Sequence, residues 1–190
     1  MESTQSGTGI DWNEIALKLP TKRGDKEQKK RRLKMFNLFD PNGNGFLSLA
    51  ELDKGIRDVL QLDTMFDCKP AIMRAYKAAR SKGKNKSKYS GDYVEKHEFR
   101  YFLLALRQYF EYWAAFARVD TGDDRRINKS EFKKAKPMLE KWVGPIEDMD
   151  ATFDEIDKNG GGQILFNEFC VWAIKKGLDL EDDDDYDEAG

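Results

Sequence analysis

The chain has 190 residues, of which 36% are charged and 39% hydrophobic, and its formal net charge is −2. This composition is that of a polar globular protein with one compact domain or two small lobes. Its longest apolar run, YFLLAL at 101–106, is far shorter than the roughly 20 residues of a transmembrane helix. We therefore expect no transmembrane segment and, since MESTQSGTGI lacks the features of a signal peptide, a cytoplasmic protein.

The first predicted element is a helix over 10–19, within an N-terminal segment placed at 1–26. Its apolar residues could dock this helix on a lobe; they are Ile10, Trp12, Ile15, Leu17 and Leu19.

A basic run follows at 22–34, with eight basic residues against two acidic ones. A helix with one solvated charged face accounts for this run. It allows weak contact with anionic lipid at most, and we expect no nucleic-acid partner.

The first candidate helix–loop–helix unit, hand one at 30–62, contains DPNGNGFLSLAE at 40–51. This stretch matches the EF-hand calcium loop D-x-[DN]-x-[DN]-G-x5-E at every fixed position, with apolar residues at helical spacing on both sides. Gly45 suits the left-handed turn at position six. The predicted calcium ligands are the side chains of Asp40, Asn42, Asn44, Ser48 and Glu51 and the carbonyl of Phe46.

Hand one needs a partner, because one such unit cannot bury its apolar face alone. We place a degenerate hand two at 69–108, with helices at 69–80 and 97–110 around the loop SKYSGDYVEKHE at 87–98. Glu98 keeps position twelve and Val94 keeps the apolar position eight. The other ligand positions carry Ser87, Tyr89 and Gly91, so this hand is predicted to pair without binding metal.

Hand three, at 111–141, contains DTGDDRRINKSE at 120–131. Gly122 leaves position three without a ligand, and Arg125 occupies the turn position, where a non-glycine residue costs roughly 1–2 kcal/mol. Weak binding and purely structural pairing both remain open. Its candidate ligands are Asp120, Asp124, the Arg126 carbonyl, Asn128 and Glu131.

Hand four, at 147–177, contains DKNGGGQILFNE at 157–168. Gly162 makes the turn, whereas Gly161 and Leu165 offer no side-chain oxygen at positions five and nine, so water must complete the ligand set. Weaker binding than in a complete loop is predicted. The candidate ligands are Asp157, Asn159, the Gln163 carbonyl and Glu168.

The predicted fold is therefore all-α, with four EF-hands in two paired lobes at 27–110 and 111–178. Short two-residue β contacts should join the loops at position eight, where Leu47, Ile127 and Ile164 stand. The acidic end, 179–190, carries eight acidic residues and no basic one, and is predicted to be disordered.

The sequence gives little support for phosphate binding or catalysis. GGGQ follows a predicted helix and lacks the lysine of a phosphate-binding loop. His97 is the one histidine, and no serine or cysteine has an evident base beside it, so we expect no enzyme.

Four stretches together resemble the flagellar calcium-binding proteins, the calflagins of kinetoplastids and their relatives: RRLKMFNLFDPNGNG, YVEKHEFRYFLLALRQYFEYW, EFKKAKPMLEKW and FDEIDKNGGGQILFNEFCVWA. The resemblance spans roughly 12–178. It implies a calcium sensor of the flagellum or cilium that associates with its membrane or with proteins. It also implies calcium binding mainly by the C-terminal hands, at Asp120, Asp124, Glu131, Asp157, Asn159 and Glu168.

The sequence departs from this family pattern in two respects. Gly122, Arg125 and Gly161 weaken the C-terminal loops while the first loop is complete, so we give the first loop precedence. The chain begins Met-Glu rather than Met-Gly, so no N-myristoylation motif carries over.

The leading hypothesis is a calcium sensor that exposes an apolar groove to a protein target, either a helix or a cytoskeletal protein. The alternatives are a structural axonemal or cytoskeletal protein with little calcium dependence, a calcium buffer, and a ligand-holding protein of the photoprotein type. Candidate groove residues are Met35, Phe36, Met73, Phe102, Leu103, Met138 and Trp142.

Overall fold

The computed structural model describes residues 9–80 and 91–177. Within these ranges the chain is mostly helical and divides between Phe110 and Glu111 into two compact units. The predicted all-α EF-hand fold is confirmed. In the described part of the chain, no helix combines the length and the apolar character that a membrane crossing requires.

The first unit contains hands one and two. Its elements are α1 (Trp12–Lys18), α2 (Lys26–Phe39), β1 (Phe46–Leu47), α3 (Leu49–Gly55), α4 (Asp63–Phe66), α5 (Lys69–Ala79), β2 (Val94–Glu95) and α6 (Phe99–Val119). Hand one is α2–β1–α3, and a π-helical turn, Ile56–Leu60, continues α3. Hand two is α5–β2–α6.

The second unit contains hands three and four, and the last part of α6 is the entering helix of hand three. The exiting segment of hand three is divided at Ala135, because Pro137 begins a new helix there. The elements are β3 (Arg126–Asn128), α7 (Lys129–Lys134), α8 (Lys136–Val143), α9 (Met149–Ile156), β4 (Gln163–Leu165) and α10 (Phe166–Lys175).

Antiparallel strand contacts pair the loops within each unit. In the first unit Leu47 lies opposite Val94, and in the second Ile127 lies opposite Ile164. All four side chains are fully buried. The contact spans two residues in the first unit, as predicted, and three in the second. Position eight therefore holds each pair of loops together.

Aromatic rings form the centre of both units. In the first, Phe99 packs edge-on against Phe36 and Phe39, with centroids 5.4 and 5.3 Å away. In the second, Phe169 lies between Phe116 at 5.5 Å and Trp142 at 5.7 Å. Because interiors are close-packed, these rings fix the spacing of the helices around them.

Helix α1 lies on the first unit within the predicted segment 10–19. Asp11 caps its first turn, Ile15 and Leu19 are buried, and the Trp12 ring lies 5.7 Å from that of Phe110. The prediction for Leu17 is wrong, because its side chain is 73% exposed. One turn of helix cannot direct both Ile15 and Leu17 to the same face.

Two arginine side chains hold residues 20–22, which follow α1, through the main-chain carbonyls of these residues. Arg32 donates to the carbonyls of Pro20 at 3.0 Å and Lys22 at 3.2 Å, and Arg100 donates to Thr21 at 2.8 Å. Arg32 is only 5% exposed. At least one basic residue of the run 22–34 is therefore buried and makes hydrogen bonds within the first unit.

Two sequence predictions lie outside the described residues. They are the disordered acidic end at 179–190 and the first part of loop two, which includes Ser87 and Tyr89.

Candidate metal sites

Loops one, three and four share one backbone conformation. Positions four and six are left-handed in each, which brings the amides of the first half of the loop around the position-one carboxylate. The values of φ at position four are 69° for Gly43, 53° for Asp123 and 66° for Gly160; at position six they are 83° for Gly45, 63° for Arg125 and 75° for Gly162.

The position-one aspartate accepts hydrogen bonds from the amides of positions five and six in all three loops. For Asp40 the distances are 3.2 and 2.8 Å, for Asp120 they are 3.3 and 2.7 Å, and for Asp157 they are 3.1 and 2.7 Å. Charge-assisted bonds of this kind fix the carboxylate in place.

In loop one the predicted ligands at positions three and twelve meet across the loop. The Asn42 amide Nδ2 donates to Glu51 Oε1 at 2.6 Å, while Asn42 Oδ1 accepts the Asn44 amide at 2.9 Å. Glu51 Oε2 accepts from the Ser48 amide at 2.9 Å and hydroxyl at 2.8 Å. The Asn44 amide thus bonds to both Asp40 and Asn42, and Asn42 bonds to Glu51, so that hydrogen bonds connect the side chains of positions one, three and twelve.

Loop four repeats this arrangement with fewer side chains. Asn159 Nδ2 donates to Glu168 Oε1 at 2.7 Å, and Asn159 Oδ1 accepts the Gly161 amide at 2.8 Å. A Cβ placed on Gly161 would lie 2.5 Å from Asn159 Oδ1. The side-chain oxygen of Asn159 thus fills the space that the Cβ of a larger residue at position five would occupy.

Loop three differs at position three. With no side chain at Gly122, Glu131 Oε1 accepts the Gly122 amide at 2.9 Å and the Thr121 hydroxyl at 3.1 Å. Burial would raise the pKa of Glu131, but hydrogen bonds from Asn128, Gly122 and Thr121 outweigh it and hold this pKa below its ordinary value. A Cβ on Gly122 would lie 3.3 Å from Glu131 Oε1, so the missing ligand would face the site.

Loop two shows that position twelve has a structural task besides metal binding. Glu98 Oε2 accepts the amide of Glu95, its position-nine residue, at 2.9 Å. Glu51, Glu131 and Glu168 each make the equivalent bond, also at 2.9 Å. This bond caps the exiting helix in every hand, so a glutamate at position twelve is not by itself evidence of a metal ligand.

The donor sets fit calcium to different degrees. Calcium takes 6–8 oxygen ligands and tolerates neutral ones. Loop one has an oxygen-bearing side chain at each of positions one, three, five and twelve, and Ser48 at position nine. Loop four lacks side-chain oxygens at positions five and nine, and loop three lacks one at position three. The fit is therefore best in loop one, and the ligand assignments in all three loops stay predictions.

The structure also shows features that the ligand pattern did not predict. The Thr121 hydroxyl bonds to Glu131, and the Arg126 side chain donates to Gln163 Oε1 at 3.1 Å, linking loops three and four. A position-two hydroxyl carries no signal in the EF-hand pattern. The Arg126–Gln163 bond is a diagonal contact across the strands, because the register places Arg126 opposite Leu165 and Asn128 opposite Gln163.

Two family models match the chain. One describes the FCaBP EF-hand domain and covers residues 15–106; the other describes an EF-hand domain pair and covers 112–174.

Three curated proteins are similar over nearly the whole chain, each at 36% identity. The flagellar calcium-binding protein of Trypanosoma cruzi aligns with 92% of this chain and 83% of its own length. Flagellar calcium-binding proteins TB-17 and TB-24 of Trypanosoma brucei brucei each align with 98% of this chain, and with 81% and 86% of their own lengths. These matches confirm the resemblance seen in the four sequence stretches.

Proposed function

This chain belongs to the flagellar calcium-binding protein family of EF-hand proteins, and from that membership we propose that it binds calcium in the flagellum and acts there as a calcium sensor. The relatives bear names of calcium-binding proteins, which agrees with the expectation that this chain is not an enzyme. Calcium binding is proposed for hands one and four.

The observation that carries this proposal is the hydrogen-bonded cluster of Asp40, Asn42 and Glu51 in loop one, which the Asn42 and Asn44 amides connect. Nothing in the packing of two helices requires three oxygen-bearing side chains to meet in this way. Calcium would supply charge neutralisation for the two carboxylates and a fixed link between α2 and α3. Asp40 stands at the end of α2 and Glu51 in the first turn of α3, so both would be drawn to the same ion.

A sensor must also change the surface it presents. Of the candidate groove residues, Phe36, Phe102 and Leu103 are buried, whereas Met73 is 37% exposed and Met35, Met138 and Trp142 are half-buried. The buried residues support the proposal only if calcium moves the helices that cover them. We propose that a protein target, such as a helix, binds where they become exposed, and a calcium-dependent rise in the emission of a hydrophobic dye would test this.

The proposed lipid contact of 22–34 is weak. Arg32 is buried against carbonyls and does not face solvent, and Arg31, although exposed, donates to the Leu17 carbonyl at 2.8 Å. Co-sedimentation with vesicles that contain an anionic lipid should show little binding at physiological salt. Tight binding would contradict this part of the proposal.

Calorimetric titration with calcium tests the assignment of hands. The intact protein should bind two ions, with dissociation constants on the order of 10⁻⁷ to 10⁻⁵ M, as in EF-hand sensors. Glu51→Gln should remove one site and Glu168→Gln the other. Because position twelve also caps its helix, glutamine is chosen to keep a hydrogen-bond acceptor there.

Tryptophan fluorescence then distinguishes a sensor from a buffer or a structural protein. Trp12 lies in the first unit and Trp113, Trp142 and Trp172 lie in the second. In a Trp12→Phe variant, therefore, all remaining tryptophans report on the second unit. A calcium-dependent emission change supports a sensor; binding without a spectral or dye response supports a buffer, and no binding up to millimolar calcium supports a structural role.

A further inference from the structure

Gly55 is the last residue of α3 and lies in the interior of the first unit. Its backbone is ordinary right-handed helix, with φ −64° and ψ −36°, so the local conformation does not require glycine. Glycine favours helix less than alanine does, so its presence here needs another reason. That reason is steric: a Cβ on Gly55 would lie 2.4 Å from Cδ2 and 2.5 Å from Cγ of Phe39.

The Phe39 ring has no room to retreat. It is 2% exposed, and its centroid lies 5.3 Å from that of Phe99, which in turn packs 5.4 Å from Phe36. In a close-packed interior such a ring cannot move without displacing its neighbours. The backbone of α3 therefore rests directly on Phe39, and only the absence of a side chain at residue 55 allows this distance.

The contact joins the two helices that carry the ends of loop one. Phe39 immediately precedes Asp40, at loop position one, and Gly55 follows Glu51, at position twelve, by one turn of helix. Hydrogen bonds connect Asp40, Asn42 and Glu51 while this contact is present. Glu51 and Gly55 lie one turn apart in the same helix, so a displacement of α3 at Gly55 would also displace Glu51.

We infer that Gly55 is a positioning residue for calcium in hand one: by letting α3 rest on Phe39, it places Glu51 opposite Asp40. The inference deepens the proposed function and rests on calcium binding by hand one. A methyl group at residue 55 would push α3 away from α2 and separate the ligands of positions one and twelve. Helix propensity by itself would favour alanine at residue 55, so a loss of calcium affinity on Gly55→Ala would not be explained by helix propensity.

The test uses the full chain with Glu131→Gln and Glu168→Gln, so that calcium calorimetry reports hand one alone. Adding Gly55→Ala to this parent should weaken calcium binding about tenfold, as overpacking of a close contact predicts. Adding Phe39→Leu as well should recover most of this loss relative to Phe39→Leu alone, because the smaller side chain makes room for the methyl group.

The matched control is the same substitution read at the other site. In a Glu51→Gln parent, Gly55→Ala should leave the affinity of hand four unchanged. A loss of equal size at hand four, or an affinity within twofold of the hand-one parent, would overturn the inference while leaving the proposed function intact. No binding by the hand-one parent would instead overturn the proposed function of that hand, and the inference with it.

Should Gly55→Ala alone fail to fold, Phe39→Leu tests the same spacing without a clash. Removing the ring edge on which α3 rests should also weaken calcium binding at hand one. Unchanged affinity of a folded Phe39→Leu variant would count against the inference.

Discussion

Asp123 and Arg125 hold left-handed backbone angles at positions where the other calcium loops have glycine. Each such residue costs roughly 1–2 kcal/mol, although aspartate tolerates the conformation better than most. The strain persists because the surroundings hold the loop: Asp120 accepts the amide of Arg125 at 2.7 Å, and Ile127 pairs with Ile164. Loop three therefore keeps the shape of a calcium loop without its full ligand set.

The missing ligand of loop three can be restored by Gly122→Asn. The Cβ of the new side chain would lie 3.3 Å from Glu131 Oε1 and 3.8 Å from Asp120 Oδ1, so the side chain would face both carboxylates. An amide oxygen adds a ligand without adding charge, so we expect the calcium affinity of hand three to rise about tenfold, or about 1.4 kcal/mol. Calorimetry in a Glu51→Gln, Glu168→Gln background measures it.

Gly122→Ala is the control for this prediction, since it adds the Cβ without an oxygen. An equal gain from alanine would show that the improvement comes from the backbone rather than from coordination.

Among the secondary-structure elements, α1 and the segment after it depend on others for their position. Lys18 Nζ donates to the Gln61 carbonyl at 3.0 Å, at the end of the π-helical turn, while Arg32 and Arg100 reach the carbonyls of residues 20–22 from α2 and α6. A seven-residue helix is marginal by itself. Its attachment therefore comes from buried apolar side chains and from these charged donors.

Arg32→Ala should loosen this segment and destabilise the first unit by about 2–3 kcal/mol, since hydrogen bonds to a charged donor are lost and their carbonyls are left in a partly buried site. Urea unfolding measures the loss. The emission of Trp12, read in a Trp172→Phe background to lower the contribution of the second unit, should shift to the red as the ring leaves Phe110.

Lys30→Ala is the control, because Lys30 is exposed on the same helix. Unchanged stability and emission in Arg32→Ala would show that the apolar contacts alone hold α1.

Charged side chains link α7 to α9, the exiting helix of hand three to the entering helix of hand four. Lys133 lies 2.8 Å and Lys129 3.3 Å from Asp150, and Lys129 also lies 3.0 Å from Asp154. Hydrogen bonds from Lys133 and then Lys129 hold the pKa of Asp150 below its ordinary value. The pairs are exposed, so their contribution is small and screened by salt.

This link predicts a pH dependence with a definite sign. Because the folded pKa of Asp150 lies below its unfolded value of about 3.9, its stabilisation is present above that value and is lost as pH falls through the folded pKa. Asp150→Asn should lower the urea midpoint at neutral pH, and the difference from the unchanged protein should shrink below about pH 4. A difference that persists in strong acid would assign the effect to packing instead.

At the scale of the whole molecule, the two units carry unequal calcium loops. The first pairs a complete loop with one that caps its helix but has lost the ligand pattern, and the second pairs two loops that are each incomplete. Within each unit a buried strand contact joins the partners, at Leu47–Val94 and Ile127–Ile164. The partner loop of hand one thus serves to hold its shape.

Removal of calcium should therefore destabilise the protein in proportion to the sites filled. A ligand that binds only the folded state stabilises it by RT ln(1 + [L]/Kd), about 2.7 kcal/mol per site at a hundredfold excess over Kd. Thermal unfolding with calcium and with a chelator measures this loss. Glu51→Gln should retain only the part that belongs to hand four; a chelator effect that is the same in both proteins would contradict calcium binding by hand one.

The sequence by itself determined the fold class, the hands and the candidate ligands, because an EF-hand loop is a local structure whose ligand spacing and turn residues stand within twelve positions. It also predicted the pairing of loops, since an apolar residue recurs at position eight. These features need no knowledge of distant contacts.

Only the tertiary structure decided three further points. Leu17 faces solvent while Ile15 and Leu19 are buried, because the unit offers α1 a single apolar face. Glu98 caps the exiting helix of hand two, a role that the calcium-loop pattern does not predict for position twelve. The Phe39 ring leaves no room for a side chain at residue 55, and this contact joins residues on different helices. Each depends on which surfaces meet after folding, and close packing rather than local preference determines that.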